Sequence, residues 1–264
     1  MPFLLFRKKY FAGGAATSRG LVRKDNQDSY SCAGESGLFS VSDGMGGGDA
    51  GDQASAIVIR SLEPALHHPM KDPSVIVKLM RQANREICDY AAKYHLHGMG
   101  ATVVGILLNP FRPDKALLFS AGDSRCYRLR ENSLEQLSSD HSIAAAMGIP
   151  EEKLARHLQG VLTNAVGCGT TFFLETHELD LRSGDSYLLC SDGVSRQVPK
   201  EEILNIMKTE LSVSQKAKEL VDASDRHGGR DNATAVVISF SELPEITPEI
   251  RQEEADCPDF PDCK

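Results

Sequence analysis

The sequence predicts an α+β protein in which helices pack outside antiparallel sheets. Runs with the two-residue period of strands come first, followed by two helical stretches, more strands, two further helices and a last strand. Strands and helices therefore do not alternate one by one, as they would in a parallel sheet. A chain of 264 residues with 41% hydrophobic side chains is also long enough to bury a sizeable core.

The first third of the chain contains three predicted strands and two predicted helices. A run of small, alternating residues predicts a strand over residues 11–18, and a polar loop follows it. Residues 29–33 and 38–42 are typical of a hairpin around a glycine-rich turn. Apolar residues at helical spacing then predict helices over residues 54–66 and 75–94.

The rest of the chain returns to strands and ends in a polar segment. Strands are predicted over residues 101–108, 115–120, 126–129, 171–179, 185–190 and 233–240, and amphipathic helices over residues 200–208 and 214–226. Residues 140–169 are irregular and partly helical. We expect one domain over residues 11–240, with a short extension at 1–10 and an acidic, flexible tail at 241–264.

The composition excludes several classes of function. A formal net charge of -8 argues against a nucleic-acid or anionic-membrane partner. The seven cysteines form no Cys-x-x-Cys pair, so neither a zinc site nor a disulfide framework is indicated. No apolar run approaches the roughly 20 residues that span a bilayer. We therefore expect a cytoplasmic protein that acts as a monomer.

Three aspartates share one sequence context, a strand end beside a glycine-rich turn. Asp43 lies in the stretch Val-Ser-Asp-Gly-Met-Gly-Gly-Gly-Asp-Ala-Gly at residues 41–51, and Asp192 and Asp231 each touch a similar turn. If the three carboxylates converge, they repel one another unless cations lie between them, and oxygen ligands favour Mg²⁺ or Mn²⁺ over zinc. The alternative is that they are turn formers far apart in space.

Eight short segments, in order along the chain, resemble one family. They are residues 20–28, 42–48, 100–102, 121–125, 140–142, 162–167, 191–193 and 229–234. The set resembles the metal-dependent protein phosphatases (PPM, the type 2C serine/threonine phosphatases), particularly the bacterial branch, and covers roughly residues 11–240. The resemblance implies a four-layer α-β-β-α sandwich, with two central antiparallel sheets flanked by helix pairs.

The resemblance also implies a set of metal ligands. Asp43 would bridge two Mn²⁺ or Mg²⁺ ions, and the Gly44 carbonyl would bind one of them. Asp192 and Asp231 would complete the other ion's ligands, and Asp123 with Asp192 matches the weaker third metal site of bacterial members. Two divalent cations about 4 Å apart lower the pKa of a bridging water, which then attacks phosphorus in line.

Other residues of the resemblance would serve the substrate or support the ligands. Arg23 would hold the substrate phosphate with its planar guanidinium, and Asp28 would act largely through metal-bound water. Gln27 and Asn232 would lie next to the metal ligands without binding the ions themselves. Gln27 replaces a Glu of many members, and Met45 replaces a His that serves animal members as a proposed general acid.

The implied activity is hydrolysis of phosphoserine and phosphothreonine in protein substrates, with a cognate Ser/Thr kinase as the opposing enzyme. Two alternatives remain open at this point. One is a phosphatase dedicated to a single regulatory partner, such as a phosphorylated anti-sigma antagonist. The other is a pseudophosphatase that binds phosphoproteins without turnover.

Overall fold

A computed structural model describes residues 10–46, 50–67, 74–248 and 250–251 of the chain. The strands are β1 (Phe11–Ser18), β2 (Asp28–Ala33), β3 (Leu38–Met45), β4 (Gly100–Ala101), β5 (Val103–Asn109), β6 (Arg112–Ala121), β7 (Arg125–Arg130), β8 (Ser133–Gln136), β9 (Glu175–Asp180), β10 (Ser186–Cys190) and β11 (Ala233–Phe240). The helices are α1 (Ala50–Ser61), α2 (Glu63–His67), α3 (Ser74–Tyr94), α4 (Ile143–Met147), α5 (Asp192–Ser195), α6 (Lys200–Lys208) and α7 (Val213–Arg226).

The strands form two antiparallel sheets, as the sequence predicts. One sheet has the order β1-β11-β10-β7-β8, and the other has the order β2-β3-β5-β6-β9, with β4 paired to β3. The first strand, β1, and the last strand, β11, lie side by side, with Phe11 opposite Phe240 and Ser18 opposite Ala233. This long-range pairing closes the fold into one unit.

Three apolar clusters separate four layers. The two sheets pack face to face over a cluster that includes the fully buried Phe39 and Tyr187. Helices α1 and α3 cover the outer face of one sheet through residues such as Ile57 and Ile76. Helices α6 and α7 cover the other sheet through residues such as Leu220. The expected α-β-β-α sandwich is therefore confirmed.

Several element boundaries differ from the prediction. The helix predicted over residues 54–66 begins earlier, at Ala50, and ends at Ser61, with α2 following as a separate helix. Pro64 explains this break, because it has no N–H to continue the helical hydrogen bonds from the preceding turn. The strand predicted over 171–179 is also shorter, because residues 169–171 form a 3₁₀ turn and β9 begins at Glu175.

Two short elements were not predicted at all. Strand β8 pairs with β7 across a two-residue turn in which Glu131 and Asn132 both have positive φ, at 50° and 70°. Such a turn matches the right-handed twist of a hairpin, but only asparagine of this pair signals it in the sequence. Helix α5, a single turn after β10, begins at Asp192 itself.

The chain ends lie partly outside the described residues. Residues 1–9 and most of the predicted tail belong to that part, so the expected extension and tail stay predictions. The chain does continue past residue 240 in contact with the domain, since the Ser241 N–H donates to the Tyr10 carbonyl (2.8 Å) and Leu243 packs against the core between the sheets. Among the helices of the described residues, none combines the length and the hydrophobicity that a bilayer span requires.

Candidate metal centre and active site

The predicted site residues converge at one end of the sandwich. A cleft of about 330 Å³ opens there, where the end of β3, the β6–β7 turn, the start of α5 and the loop before β11 meet. It is lined by Arg23, Gln27, Asp43, Gly44, Asp123, Asp192, Asp231 and Asn232, together with Met45, Gly46, Thr102, Gly160, Leu162 and Arg196. Of the predicted site residues, Asp28 alone does not line the cleft, and it adjoins Asp43 on the neighbouring strand.

Asp28 and Asp43 face each other across two adjacent strands. Asp28, the first residue of β2, is the register partner of Asp43 in β3. Opposite residues in an antiparallel pair have Cβ atoms about 5 Å apart, so the two carboxylates share one space. Like charges at that spacing are unfavourable. The strand register therefore creates a pair of carboxylates that needs a cation nearby.

The end of β3 is held in place by the residue between β4 and β5. The Asp43 N–H donates to Thr102 Oγ1 (3.0 Å), and the Thr102 N–H donates to the Asp43 carbonyl (2.8 Å). Ser42 Oγ donates to the Thr102 carbonyl (2.7 Å). Thr102 Oγ1 also lies 2.6 Å from Ser124 Oγ, next to Asp123. These bonds fix the backbone of Asp43 relative to the β6–β7 turn.

Gly44 needs to be glycine because of its backbone neighbours. A Cβ at this position would lie 1.9 Å from the Gly51 carbonyl oxygen and 2.8 Å from that of Gln27. The Gly44 N–H donates to the Gln27 carbonyl (3.1 Å). The loop before β2 and the first turn of α1 thus pack directly against the glycine whose carbonyl is the expected ligand.

Asp192 lies where β10 ends and α5 begins. Ser191, the residue before it, connects this turn to β11 and to β2 by two hydrogen bonds. Its Oγ accepts from the Thr234 N–H (3.0 Å) and donates to Asp28 Oδ2 (2.8 Å). A Cβ on Gly193 would lie 1.9 Å from the Asn232 carbonyl oxygen, so this turn packs tightly on the loop that carries Asp231.

Asp231 and Asn232 organise the loop of residues 19–27. Asp231 Oδ2 accepts from Arg23 Nη2 at 2.7 Å, an ion pair whose side chains are 33% and 54% exposed. Asn232 Oδ1 accepts from the Gln27 N–H (2.9 Å), and its Nδ2 donates to the carbonyls of Arg19 and Asp25 (both 2.9 Å). One asparagine side chain therefore makes three bonds to the backbone of the loop that presents Arg23.

Asp123 is almost fully buried and paired with a residue that the sequence reading missed. Arg196 Nη2 donates to Asp123 Oδ2, and Arg196 Nε lies 3.4 Å from Asp192 Oδ2. The spacing of Asp192 and Arg196, four residues apart at the start of a helix, is a signal that could have found this contact. Their arrangement puts a fixed positive charge on the Asp123 side of the cleft.

The electrostatics of the cleft fit bound divalent cations. Burial, and repulsion from neighbouring carboxylates, raise the pKa of Asp28 to about 6 and that of Asp192 to about 7, and they raise the pKa of Asp43 well above its usual value. The Oδ1 atoms of Asp28 and Asp192 are buried without a hydrogen-bond partner. Cations would satisfy these oxygens and relieve the repulsion.

The ligand set suits hard cations that keep part of their water. Among the described residues, no three His, Cys, Asp or Glu side chains are placed so that they could hold an ion by themselves. Water and the Gly44 carbonyl would complete the ligands, as is usual for Mg²⁺. The carboxylates and backbone oxygens present therefore fit two Mn²⁺ or Mg²⁺ ions.

Comparison with known proteins decides the family. A family model described as protein phosphatase 2C matches residues 12–232, which is most of the chain. The chain belongs to the protein phosphatase 2C family. It is a metal-dependent serine/threonine phosphoprotein phosphatase, so the family, the enzyme class and the use of Mn²⁺ or Mg²⁺ that the sequence predicted are confirmed. The chain is therefore an enzyme rather than a pseudophosphatase.

Relatives of this phosphatase include curated and structurally solved proteins. The serine/threonine phosphatase stp of Listeria welshimeri is 30% identical over 241 residues, covering 84% of this chain and 93% of the relative. The crystal structure of the Mycobacterium tuberculosis serine/threonine phosphatase PstP superposes with a TM-score of 0.78 at 31% identity, covering 88% of this chain and 99% of that one. A structure of the PstP catalytic domain, with a TM-score of 0.77, 31% identity and the same coverage, contains two manganese ions.

Proposed function

We propose that this phosphatase hydrolyses phosphoserine and phosphothreonine residues at the cleft, using two Mn²⁺ or Mg²⁺ ions held by Asp43, the Gly44 carbonyl, Asp192 and Asp231. The convergence of these groups on one cleft beside unpartnered, buried carboxylate oxygens is the observation that supports the proposal. When bound, the ions supply Lewis-acid charge and a water of lowered pKa at neutral pH. The three carboxylates would hold the ions at fixed positions in the cleft.

Arg23 binds and orients the substrate phosphate. Its side chain is 54% exposed, and one of its N–H groups donates to Asp231, which leaves the rest of the fork accessible from the cleft. The hydrogen bond to Asp231 raises the pKa of Arg23, so the guanidinium stays charged. A planar fork suits the oxygens of a phosphate group, because it can donate to two of them at once.

Asp28 supports the metal centre through its position beside Asp43. Ser191 fixes one of its carboxylate oxygens, and the other is buried without a partner in the described structure. Met45 lines the cleft but has no proton to donate. The leaving alkoxide of serine or threonine therefore takes its proton from water or departs unassisted.

Phosphopeptide hydrolysis by matched Asp→Asn variants tests the proposal. Asp43→Asn removes a carboxylate charge that would hold the ions, and we expect it to lower kcat at least about a hundredfold. Asp222→Asn is the control, because Asp222 lies on α7 in a surface ion pair with Lys218 and should leave kcat unchanged. Turnover by Asp43→Asn equal to that of the wild type, in a folded sample, would refute the role of Asp43.

The setting of this activity is part of the same proposal. Substrates are phosphorylated proteins, and a Ser/Thr kinase would produce them. The acidic net charge supports an enzyme without a nucleic-acid or anionic-membrane partner. We further propose a monomer that works in the cytoplasm in signalling, with Mg²⁺ able to replace Mn²⁺.

A further inference from the structure

Arg196 makes ion pairs with three carboxylates at the rim of the cleft. Its Nη2 donates to Asp123 Oδ2, its Nε lies 3.4 Å from Asp192 Oδ2, and its Nη1 donates to Glu151 Oε1 at 2.9 Å. The Arg196 side chain is 29% exposed, while that of Asp123 is 7% exposed. The guanidinium is therefore an integral part of the site rather than a surface charge.

The backbone fixes the position of this guanidinium. Arg196 is one helical turn after Asp192, and its N–H donates to the Asp192 carbonyl (2.8 Å). Its side chain consequently returns towards Asp192 and reaches Asp123 from the same side. A planar guanidinium can serve several carboxylates at once because its N–H groups point in fixed, divergent directions.

Glu151 extends the contact to the segment that reaches the cleft at Gly160. Besides pairing with Arg196, Glu151 Oε1 accepts from the Gly160 N–H at 2.5 Å, and Gly160 lines the cleft. Residues 142–160 thus connect to the carboxylates of the centre through Arg196. We call this segment the flap.

The third metal ion that the family resemblance implied does not fit this arrangement. It would need Asp123 and Asp192, the two carboxylates that Arg196 contacts. A divalent ion there would displace the guanidinium or lie beside its positive charge, which is unfavourable in a partly buried site. The Arg196 charge also favours the ionised form of Asp123 against the effect of burial, as a bound cation would.

We propose that Arg196 is a built-in cation that replaces a third divalent ion between Asp123 and Asp192 and positions the flap over the cleft. This inference rests on the proposed two-ion function. It predicts a protein that binds two ions and gains a weaker third site only when the guanidinium is removed. Arg196 acts through Asp123, Asp192 and Glu151, so it is a positioning residue.

Counting bound manganese tests the first half of the proposal. We would titrate the full chain with Mn²⁺ and follow free Mn²⁺ by electron paramagnetic resonance. The wild type should bind two equivalents and Arg196→Gln three, and Arg196→Gln combined with Asp123→Asn should return to two. Arg226→Gln is the matched control, because Arg226 pairs with Glu202 and Glu219 away from the cleft. It should bind two.

The outcomes separate this inference from the proposed function. Three equivalents in the wild type, or two in Arg196→Gln, would overturn the replacement of an ion by Arg196 while leaving the two-ion centre intact. A folded wild type that binds no Mn²⁺ would instead refute the proposed function, and this inference with it.

Limited proteolysis tests the second half. Lys153 and Arg156 are exposed in the flap, so trypsin can report its opening. Arg196→Gln and Glu151→Gln should each speed cleavage after these residues about two- to fivefold, the factor expected from losing an ion pair of this exposure. Arg226→Gln should not. Unchanged cleavage in both flap-contact variants would overturn the positioning role, and Glu151→Gln should keep two bound Mn²⁺.

Discussion

Asp28 and Asp43 are register partners on adjacent antiparallel strands, and Ser191 Oγ donates to Asp28 from the other sheet at 2.8 Å. Each sheet thus contributes to one buried acidic centre. This relationship explains why the centre is unfavourable without a cation, because the repulsion between the two carboxylates is built into the β2–β3 ladder rather than into a loop that could relax.

The metal-free protein should lose stability as pH rises. The pKa of Asp28 is raised to about 6 and that of Asp192 to about 7, both above the ordinary value of about 4 that aspartate has in the unfolded chain. The folded state therefore holds protons more tightly, so this stabilisation is complete below about pH 4 and is lost as pH rises towards 7. Urea unfolding of EDTA-treated protein between pH 4.5 and 8 would measure this fall in the free energy of unfolding.

The matched variant for this prediction is Asp192→Asn. It removes one of the titrating groups, so the free energy of unfolding should depend less steeply on pH than in the wild type. Saturating Mn²⁺ should also reduce the loss of stability, because cations replace the protons. An Asp192→Asn protein with the same pH dependence as the wild type would contradict the assignment.

Replacement of Arg23 should weaken substrate binding more than it slows chemistry. Arg23→Lys keeps the charge but loses the planar fork, and we expect kcat/KM to fall about tenfold or more, mainly through KM, since one charge-assisted hydrogen bond contributes about 1.5–3 kcal/mol. Lys24→Ala removes a neighbouring charge that does not line the cleft and is the control. Steady-state kinetics with a phosphothreonine peptide should separate the two, and equal effects would exclude a specific role for Arg23.

Asn232→Ala should lower both stability and manganese affinity. Its three bonds to the backbone of residues 19–27 predict a loss of about 2–3 kcal/mol in the free energy of unfolding. Asn84→Ala is the comparison. Like Asn232, Asn84 forms side-chain hydrogen bonds to the backbone, in its case two, with the Gly167 N–H and the Gly169 carbonyl (both 2.8 Å). It should lower stability without changing Mn²⁺ affinity, as calorimetric titration would show.

Gly44→Ala should disrupt the centre, whereas Gly34→Ala should be tolerated. The new Cβ at residue 44 would lie 1.9 Å from a backbone oxygen that cannot move independently, while nothing lies within 4 Å of a Cβ at residue 34. We expect Gly44→Ala to destabilise by more than about 2 kcal/mol and to lose Mn²⁺ affinity. A Gly44→Ala protein as stable as Gly34→Ala in thermal unfolding would show that the backbone contact is unimportant.

The sequence predicts the fold well where the signal is local and repeated. The long amphipathic helix α3 was located almost to the residue because its buried positions follow the helical period. Strand β11 was located to the residue, although it is buried along nearly its whole length rather than on alternate residues. Strand β8 and helix α5 were missed, since elements of four residues are too short to show a period. Pro64 was the overlooked signal that divides α1 from α2.

The candidate site was predicted in composition but not in its contacts. Strand-end aspartates beside glycine turns identify Asp43, Asp192 and Asp231, and the family resemblance adds Arg23. The role of Asn232 as a support for the loop depends on bonds to Arg19 and Asp25 across more than 200 residues, which no local pattern contains. The contacts of Arg196 with Asp123 and Glu151 were missed for the same reason, whereas its four-residue spacing from Asp192 was an overlooked local signal.

Hydrolysis of a phosphothreonine peptide by EDTA-treated protein, with Mn²⁺ or Mg²⁺ added back, is the decisive measurement. We expect no turnover with EDTA and restored turnover with Mn²⁺, because only bound cations would supply a water of lowered pKa at the acidic centre. Undiminished turnover by thoroughly chelated protein, or none with either ion in a folded sample, would contradict the central claim that this cleft is a two-metal phosphatase site.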